Sequence, residues 1–190
     1  MTDLLRAPSR DLLPAYVEAL ETGWSPNNVR PEAAQEQLKA IAEDAEAFLA
    51  SLVDPEAKGP AVKMADGSFV ARLPSLRWWI WSDGFAGSIG LRWKPGTNAL
   101  PPTALGHAGY AIVPWRRGEG LATAALRALL PEARARGLDW LDVTADPDNT
   151  ASIRVIEKAG GTLLEEMTRP EAQGGGRDLL FRLTLPAKAP

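Results

Sequence analysis

The sequence predicts a mixed α/β fold, with strands and helices interspersed along the chain. Two observations carry that expectation. Short runs rich in aromatic and β-branched residues at 77–81, 85–93, 106–113 and 140–145 are set off by turn-forming residues. Longer stretches before and between them put apolar residues at three- and four-residue steps, the spacing of one helix face. No internal repeat appears, so element boundaries are read from hydrophobic period and from Gly and Pro punctuation.

Residues 2–6 open the chain as a short strand. Asp11 is placed to cap a helix over 12–21, with Pro14 in its first turn where no intrahelical bond is lost, and Gly23 ends it. Pro31 opens a longer helix to about Val53, because Ala34, Leu38, Ile41, Ala45, Phe48 and Leu52 share one face. Asp54-Pro55 stops it. A loop over 54–68 and a short strand from Phe69 to Leu73 lead to a hairpin of 77–81 and 85–93 around Ser82-Asp83-Gly84. The next strand, 106–113, ends at Pro114. A helix over 119–136 follows, with Leu121, Ala124, Ala125, Leu129 and Ala133 near one face, Pro131 costing it a bond and Gly137 closing it. Residues 140–145 form a strand. Asp148 or Asn149 then caps a helix through Lys158 that ends in Gly160-Gly161. Strands at about 162–168 and 178–185, joined through Gly174-Gly175-Gly176, precede a frayed PAKAP tail.

The chain has 190 residues, 45% hydrophobic and 24% charged, an ordinary composition for one globular domain over 1–190. At that size a core buries about 70% of the surface of the unfolded chain, so neither disulfide nor metal is needed for stability. Zero Cys and a single His exclude a cysteine nucleophile and the usual zinc or iron–sulfur ligand sets, and we expect no metal. The first residues lack a basic segment followed by an apolar run, and no stretch of about 18 apolar residues occurs; we expect a soluble cytoplasmic protein with no membrane contact. A net charge of −3 gives no general attraction for nucleic acid. Any anion must be held locally.

The residues for holding one follow strand 106–113 directly. In Pro114-Trp-Arg-Arg-Gly118-Glu-Gly120 the glycines leave the main chain open, and the first N–H groups of the next helix carry unpaired positive dipole ends, so the amides of 118–123 form an anion cradle beside Arg116 and Arg117. A P-loop does not fit, because no Lys-Ser or Lys-Thr follows the glycines. A dinucleotide fingerprint fits poorly, since Thr123 stands where a third Gly or Ala is needed and too little chain follows for the second half of such a sheet. Ala86-Gly-Ser88-Ile-Gly90 imitates a hydrolase nucleophile elbow, but no helix follows it.

Arg117-Gly118-Glu119-Gly120-Leu121-Ala122 resembles the Arg/Gln-x-x-Gly-x-Gly/Ala signature of the GNAT superfamily of acyl-CoA-dependent N-acetyltransferases. Asn149-Thr-Ala-Ser152 and Val155-Ile-Glu-Lys-Ala-Gly-Gly161 look like the later helix of that family. The match is good over about 106–165 and limited to strand and helix pattern before it, where 1–68 reads as a strand and two helices; 106–160 would be the acyl-CoA-binding core. The resemblance implies a mixed, mostly antiparallel central sheet flanked by helices, with splayed strands holding acetyl-CoA as cosubstrate. Arg117 and the amides of Gly118, Glu119, Gly120, Leu121, Ala122 and Thr123 would hold the pyrophosphate. Main-chain groups of Tyr110, Ala111 and Ile112 would pair with the pantetheine arm, with Asn149 and Ser152 meeting it from the other side.

The implied chemistry is direct attack of a primary amine on the thioester. It needs a neutral amine, a donor to the developing oxyanion and a proton for the thiolate. His107 and Asp142 are the candidate bases, and Ser152 the candidate donor, because Ile156 stands where many family members carry a tyrosine acid. The acceptor is a small-molecule or protein amine, with Trp78, Trp79, Trp81 and Trp93 as core or pocket wall and Asp83, Glu165 and Glu166 as further amine contacts. A homodimer stays open. The alternative is a non-catalytic acyl-CoA-binding or interaction module of the same fold.

Overall fold

The structure, a computed structural model, describes residues 4–28, 30–64 and 66–185. Residues 2 and 3 of the expected first strand, and the tail 186–190, lie outside the described residues. The N-terminal third holds β1 (Leu5–Arg6), α1 (Leu13–Glu21), α2 (Ala33–Glu43), α3 (Ala45–Ser51), β2 (Val53–Asp54) and a small hairpin of β3 (Val62–Lys63) and β4 (Phe69–Val70). The aromatic hairpin follows as β5 (Ser75–Trp81) and β6 (Phe85–Arg92), then β7 (Ala108–Ile112), α4 (Leu121–Ala135) and β8 (Trp140–Ala145). The chain continues through α5 (Thr150–Ala159), β9 (Thr162–Thr168) and β10 (Arg177–Thr184).

Two expectations for the N-terminal region are corrected. The helix expected from Pro31 to Val53 is two helices. Asp44 takes an extended conformation (φ −158°, ψ 97°), and its carboxylate accepts hydrogen bonds at 3.0 Å from the N–H groups of Glu46 and Ala47, ending α2 and capping α3. The apolar spacing survives the break, so periodicity alone runs through it. Val53 and Asp54 then leave the helix and pair with Leu76 and Ser75. In the first helix Asp11 makes no cap; Leu12 holds that position without a side-chain bond.

The strands form three antiparallel sheets among the described residues: β1-β5-β6-β7 with β2 also on β5, β8-β10-β9, and the small β3-β4 hairpin. One face of the first sheet packs Trp78, Ile80, Ile89 and Leu91 against Leu126 and Leu129 of α4, Ile156 of α5 and the second sheet. The opposite face packs Trp79 and Phe85 against Leu13, Tyr16 and Leu20 of α1 and Phe48 of α3. Tyr16 stacks on Trp79 at 4.8 Å between ring centroids and meets Trp24 and Phe85 edge-on. Each fully buried aromatic contributes about 1.5–3 kcal/mol of burial, and aromatic pairing adds about 0.5–1.5 kcal/mol. Among the described residues, no helix is long and apolar enough to cross a membrane.

The two larger sheets meet at a vertex. Gly106 passes so close to β8 that a Cβ there would lie 2.8 Å from the Asp142 carbonyl oxygen. The His107 N–H donates to that oxygen at 2.7 Å, and the Asp142 N–H donates back to Nδ1 of the His107 ring at 2.9 Å. The other ring nitrogen, Nε2, lies 3.1 Å from the Asn98 carbonyl, so the neutral imidazole carries its proton on Nε2. Asn98 in turn bonds both the Trp140 carbonyl and the Asp139 N–H, clamping the 94–105 connection to the start of β8. Beyond this vertex β7 and β8 belong to separate sheets.

Two outcomes follow. Asp44→Ala should lower stability by about 1 kcal/mol through loss of the cap, seen in a thermal melt as a fall in Tm of about 2–4 °C. Burial lowers the His107 pKa below its ordinary 6.5, outweighing the opposing pull of the Asp142 carboxylate and the Asn98 carbonyl, while Arg92 and Arg182 add a weaker push in the same direction as burial. The unfolded chain therefore takes up this proton first as pH falls, so the contribution of His107 is complete above about pH 6.5 and is lost toward the folded pKa. His107 is the only histidine. Melts between pH 7 and pH 5 should show Tm falling with pH in the wild type and a flatter profile in His107→Asn.

Candidate functional site

Past the vertex, the gap between β7 and the N-terminal ends of α4 and α5 is a cleft of about 550 Å³, lined by 110–112, the 116–123 turn and the near face of α5. Val113 N–H bonds the Ala86 carbonyl, and the His107 carbonyl accepts from Arg92. In an antiparallel ladder that alternation turns the main-chain groups of odd-numbered residues toward β6 and those of Tyr110 and Ile112 into the gap. Ala111 thus contributes no outward main-chain group, contrary to expectation, although it lines the cleft. Among the described residues the outward carbonyls are met only by side chains: Tyr110 accepts from Asn28 Nδ2 at 2.9 Å and Ile112 from Arg117 Nε at 3.4 Å.

The turn after β7 leaves its main chain open. Gly118 and Gly120 hold φ of +85° and +78°, a left-handed conformation that costs other residues about 1–2 kcal/mol, and a Cβ on either would project into open space. Among the described residues, no group accepts a hydrogen bond from the N–H groups of 118–123. These are the unpaired amides at the positive end of α4. The Glu119 side chain takes no part in the cleft; it forms a bidentate pair with Arg116 (2.9 and 2.8 Å), which also donates to the Ser82 carbonyl at 2.6 Å and ties the cradle to the β5–β6 turn. Arg116 holds the Glu119 carboxyl below its ordinary pKa. Leu121, Ala122 and Thr123 line the cleft with Arg117.

Across the gap, the Asn149 side chain caps α5 by accepting the Ser152 N–H at 3.0 Å, and both residues face the cleft. Arg154 and Lys158 lie on the same face and add positive charge that the sequence reading did not single out. The i, i+4 spacing of Arg154 with Lys158, each three residues after Ala151 or Val155, was the available signal. The Tyr110 hydroxyl donates to the Ser152 carbonyl at 3.4 Å, and burial raises its pKa.

Two proposed bases stand elsewhere. His107 is fully buried with both ring nitrogens engaged at the vertex, and it lines neither this cleft nor the one adjoining it. Asp142 is bound through both oxygens by Arg182 at 2.8 and 2.9 Å and also accepts from Trp140 Nε1, on the far side of the vertex. Ile156 is buried in the core. Trp78, Trp79 and Trp93 are core residues, Trp81 lies beneath Arg6, and none of the four lines this cleft or the one adjoining it. Glu166 pairs with Arg177 on the exposed strand β9.

A second cleft of about 470 Å³ adjoins the first and shares Asn28 and Tyr110 with it. It lies on the α1–α3 face of the sheet, between the loop after α1 and residues of β5, β6 and β7, with Arg72, Arg77 and Arg92 in its wall. No Asp, Glu or His lines either cleft among the described residues. The sequence reading missed this cleft because the loop that roofs it and the strands that floor it are far apart in the chain. Among the described residues, no set of three His, Asp or Glu side chains is arranged to hold a metal ion.

Comparison with known proteins agrees with this geometry. A family model described as an acetyltransferase (GNAT) domain matches residues 4–162. No curated protein matches the chain. Among solved structures, the microcin C7 self-immunity acetyltransferase MccE, in complex with acetyl-CoA and AMP, is similar over 97% of this chain and 94% of its own, at 12% identity and a TM-score of 0.60. RimL, a ribosomal L7/L12 alpha-N-protein acetyltransferase in complex with coenzyme A, matches over 97% and 96% at 16% identity and a TM-score of 0.59. Mycobacterium smegmatis RimJ in complex with CoA-disulfide matches over 95% and 80% at 20% identity and a TM-score of 0.56. At these identities the likeness is one of fold, and the family model covers most of the chain; this protein belongs to the GNAT acetyltransferase family.

Proposed function

We propose that the protein transfers an acetyl group from acetyl-CoA to a primary amine, and that the amine is an α-amino group. The observation that carries the first half is the run of unpaired amides at 118–123, opening on a cleft whose other wall is the free edge of β7. A pyrophosphate on those amides satisfies donors that no described group satisfies, with Arg117, Arg154 and Lys158 at hand for further phosphate charge. A pantetheine amide laid along β7 takes the outward groups of Tyr110 and Ile112, displacing the exposed side chains of Asn28 and Arg117. Asn149 and Ser152 close the far side. MccE, RimL and RimJ, which share the fold, were solved with acetyl-CoA or coenzyme A bound, which supports the choice of cosubstrate.

The second half rests on there being no Asp, Glu or His among the described residues that line the two clefts. A lysine-like amine of pKa about 10.4 is neutral about once in 2,500 molecules at pH 7, whereas an α-amine of pKa about 7.8 is neutral about once in seven. That difference, about 3.5 kcal/mol, is what a base would have to supply for a lysine side chain. The neutral α-amine entering from the second cleft attacks the thioester carbonyl carbon. The C–S bond breaks, the thiolate leaves, and the proton shed by the amine is free to reach the sulfur through solvent. A thiolate of pKa about 8.5 leaves without a strong acid, so the buried position of Ile156 is no obstacle. RimL supports a protein acceptor by analogy, being an alpha-N-protein acetyltransferase.

Thermal titration with acetyl-CoA, CoA, NAD and ATP tests the cofactor assignment. Acetyl-CoA and CoA at a hundred times their dissociation constants should stabilise the protein by about 2.7 kcal/mol, a rise in Tm of about 5–10 °C. Gly120→Val should remain folded and lose that rise, because its side chain would project into the cradle from a strained backbone. Stabilisation by NAD instead would revive the dinucleotide reading. With acetyl-CoA bound, consumption of thioester by peptides with a free α-amine but not by the same peptides N-blocked supports catalysis. Binding without consumption of any amine would leave the non-catalytic module.

A further inference from the structure

The second cleft carries a charge pattern that no part of the acetyl-transfer reading requires. On the α1–α3 face of the first sheet, β-pairing sets Ser75 opposite Arg92, Arg77 opposite Gly90, and Gly90 opposite Gly109. With no side chains on the two glycines, the arginines lie across the floor they leave. The Arg77 guanidinium passes 3.7 Å from where a Gly90 Cβ would stand, and that of Arg92 passes 3.9 Å from where a Gly109 Cβ would stand. Since Gly90 and Gly109 are neighbours across β6 and β7, the two cations lie over adjacent strands.

Neither has an acidic partner among the described residues. The Arg77 guanidinium makes one long contact, 3.4 Å to the hydroxyl of the buried Ser88, and the Arg92 guanidinium, unlike the Arg92 main chain, donates to no described group. Arg72, the third arginine of the wall, differs: it donates to the Pro60 carbonyl at 3.0 Å and lies 3.7 Å from Asp54. Desolvation within the cleft, then the like charge of Arg77, lowers the Arg92 pKa, and no carboxylate opposes them. The residue as a whole is exposed, and an arginine keeps its proton across the physiological range, so it stays a cation. Two adjacent guanidinium forks facing a cleft without a counter-charge, next to the junction at Tyr110, form a receptor for an anionic group that enters with the amine.

We infer that Arg77 and Arg92 form a carboxylate-binding subsite, which selects acceptors carrying a carboxylate a few bonds from the amine to be acetylated. This deepens the proposed acetyl transfer and rests on it for the word acceptor, but the anion subsite stands on its own geometry. A carboxylate fits better than a phosphate here, because the cleft offers planar forks and neutral side chains and lacks the run of unpaired amides found at 118–123. The carboxylate comes from one of two sources, the α-carboxylate of a free amino acid or the acidic side chains beside a peptide N-terminus.

Binding and turnover separate the possibilities on the full chain. Calorimetric titration uses product-like probes that need no cofactor: N-acetyl-Ala-Asp-Asp-amide, N-acetyl-Ala-Asn-Asn-amide, N-acetyl-Ala-Lys-Lys-amide and N-acetylglutamate. We expect an acidic probe to bind at least tenfold more tightly than the neutral and basic peptides, with the better of the peptide and the amino acid naming the source. Arg77→Gln and Arg92→Gln should each weaken that binding at least tenfold while keeping the acetyl-CoA thermal shift. The Tm of Arg92→Gln should match or exceed that of the wild type, since an uncompensated charge is removed; a large fall would mark a structural arginine and overturn the assignment. Equal binding of acidic and neutral probes, tighter binding of O-phosphoethanolamine than of any carboxylate probe, or unaltered binding by both variants would also overturn it. With acetyl-CoA present, the KM for Ala-Asp-Asp-amide should rise in the variants by at least tenfold more than that for Ala-Asn-Asn-amide. Anion binding without turnover of any amine would remove acetyl transfer and leave the subsite in place.

Discussion

The geometry of both clefts depends on one short contact region, where Gly106 and His107 meet Asp142. Two strands of one sheet would normally continue pairing, and continued pairing would close the gap that lies between β7 and α5. Here β7 and β8 are fastened at one point by a main-chain bond, a ring nitrogen and the Asn98 clamp, and each is then bonded on its other side only, to β6 and to β10 respectively. The free edge of β7 is a sheet edge turned to use. It is protected from unwanted strand addition by the side chains of Asn28 and Arg117, which occupy its outward carbonyls, and by the turn and helices that cover it. A histidine in this role must be neutral, because a protonated Nδ1 could not accept from the Asp142 N–H.

From that vertex the sheet divides the work between its faces and its edge. The edge of β7 and the amide run at the start of α4 line a polar slot, the one proposed to take acetyl-CoA. The α1–α3 face presents the arginine floor, and Tyr110 and Asn28 belong to both. The aromatic cluster of Tyr16, Trp24, Trp79 and Phe85 fills one part of that face and leaves the rest open, so the cluster that anchors α1 also sets where the second cleft begins. Asn28 follows α1 by a few residues and reaches the edge of β7, which joins the helix anchored by aromatics to the place where the two clefts meet.

What was legible in the sequence was local. The Gly118-x-Gly120 turn, the Asn149 cap, the hairpin at Ser82-Asp83-Gly84 and the boundaries of β8 are each specified by residues within a few positions, and each stands where expected. The break at Asp44 was missed because the apolar period continues across it and only the carboxylate's choice of partners, visible in three dimensions, ends the helix. His107 and Asp142 were misjudged for a related reason. A lone histidine next to a cofactor-binding strand and an aspartate on a strand face have the right chemistry for bases, but burial and the partners Asn98 and Arg182 come from distant segments. The arginine floor was invisible for the same cause, since it requires the pairing of Arg77 with Gly90 and of Gly90 with Gly109.

The placement of the two failed bases changes what the site is asked to do. If neither cleft offers an imidazole or a carboxylate, rate acceleration must come from holding a partly neutral amine against a thioester, and well-oriented reactants gain about 7–11 kcal/mol from position alone. Position requires a handle on the acceptor other than the reacting nitrogen, because hydrogen bonds to that nitrogen's lone pair would block attack. A carboxylate gripped by planar forks is such a handle: it fixes orientation and distance without touching the nucleophile. The cationic floor acts in the same direction on protonation. Two guanidiniums and one bound carboxylate leave a net positive charge near the amine, which disfavours the ammonium form and raises the neutral fraction above its value in water. Recognition of the anion and activation of the amine are then two consequences of one pair of side chains, and a separate base becomes unnecessary for an α-amine while remaining insufficiently replaced for a lysine.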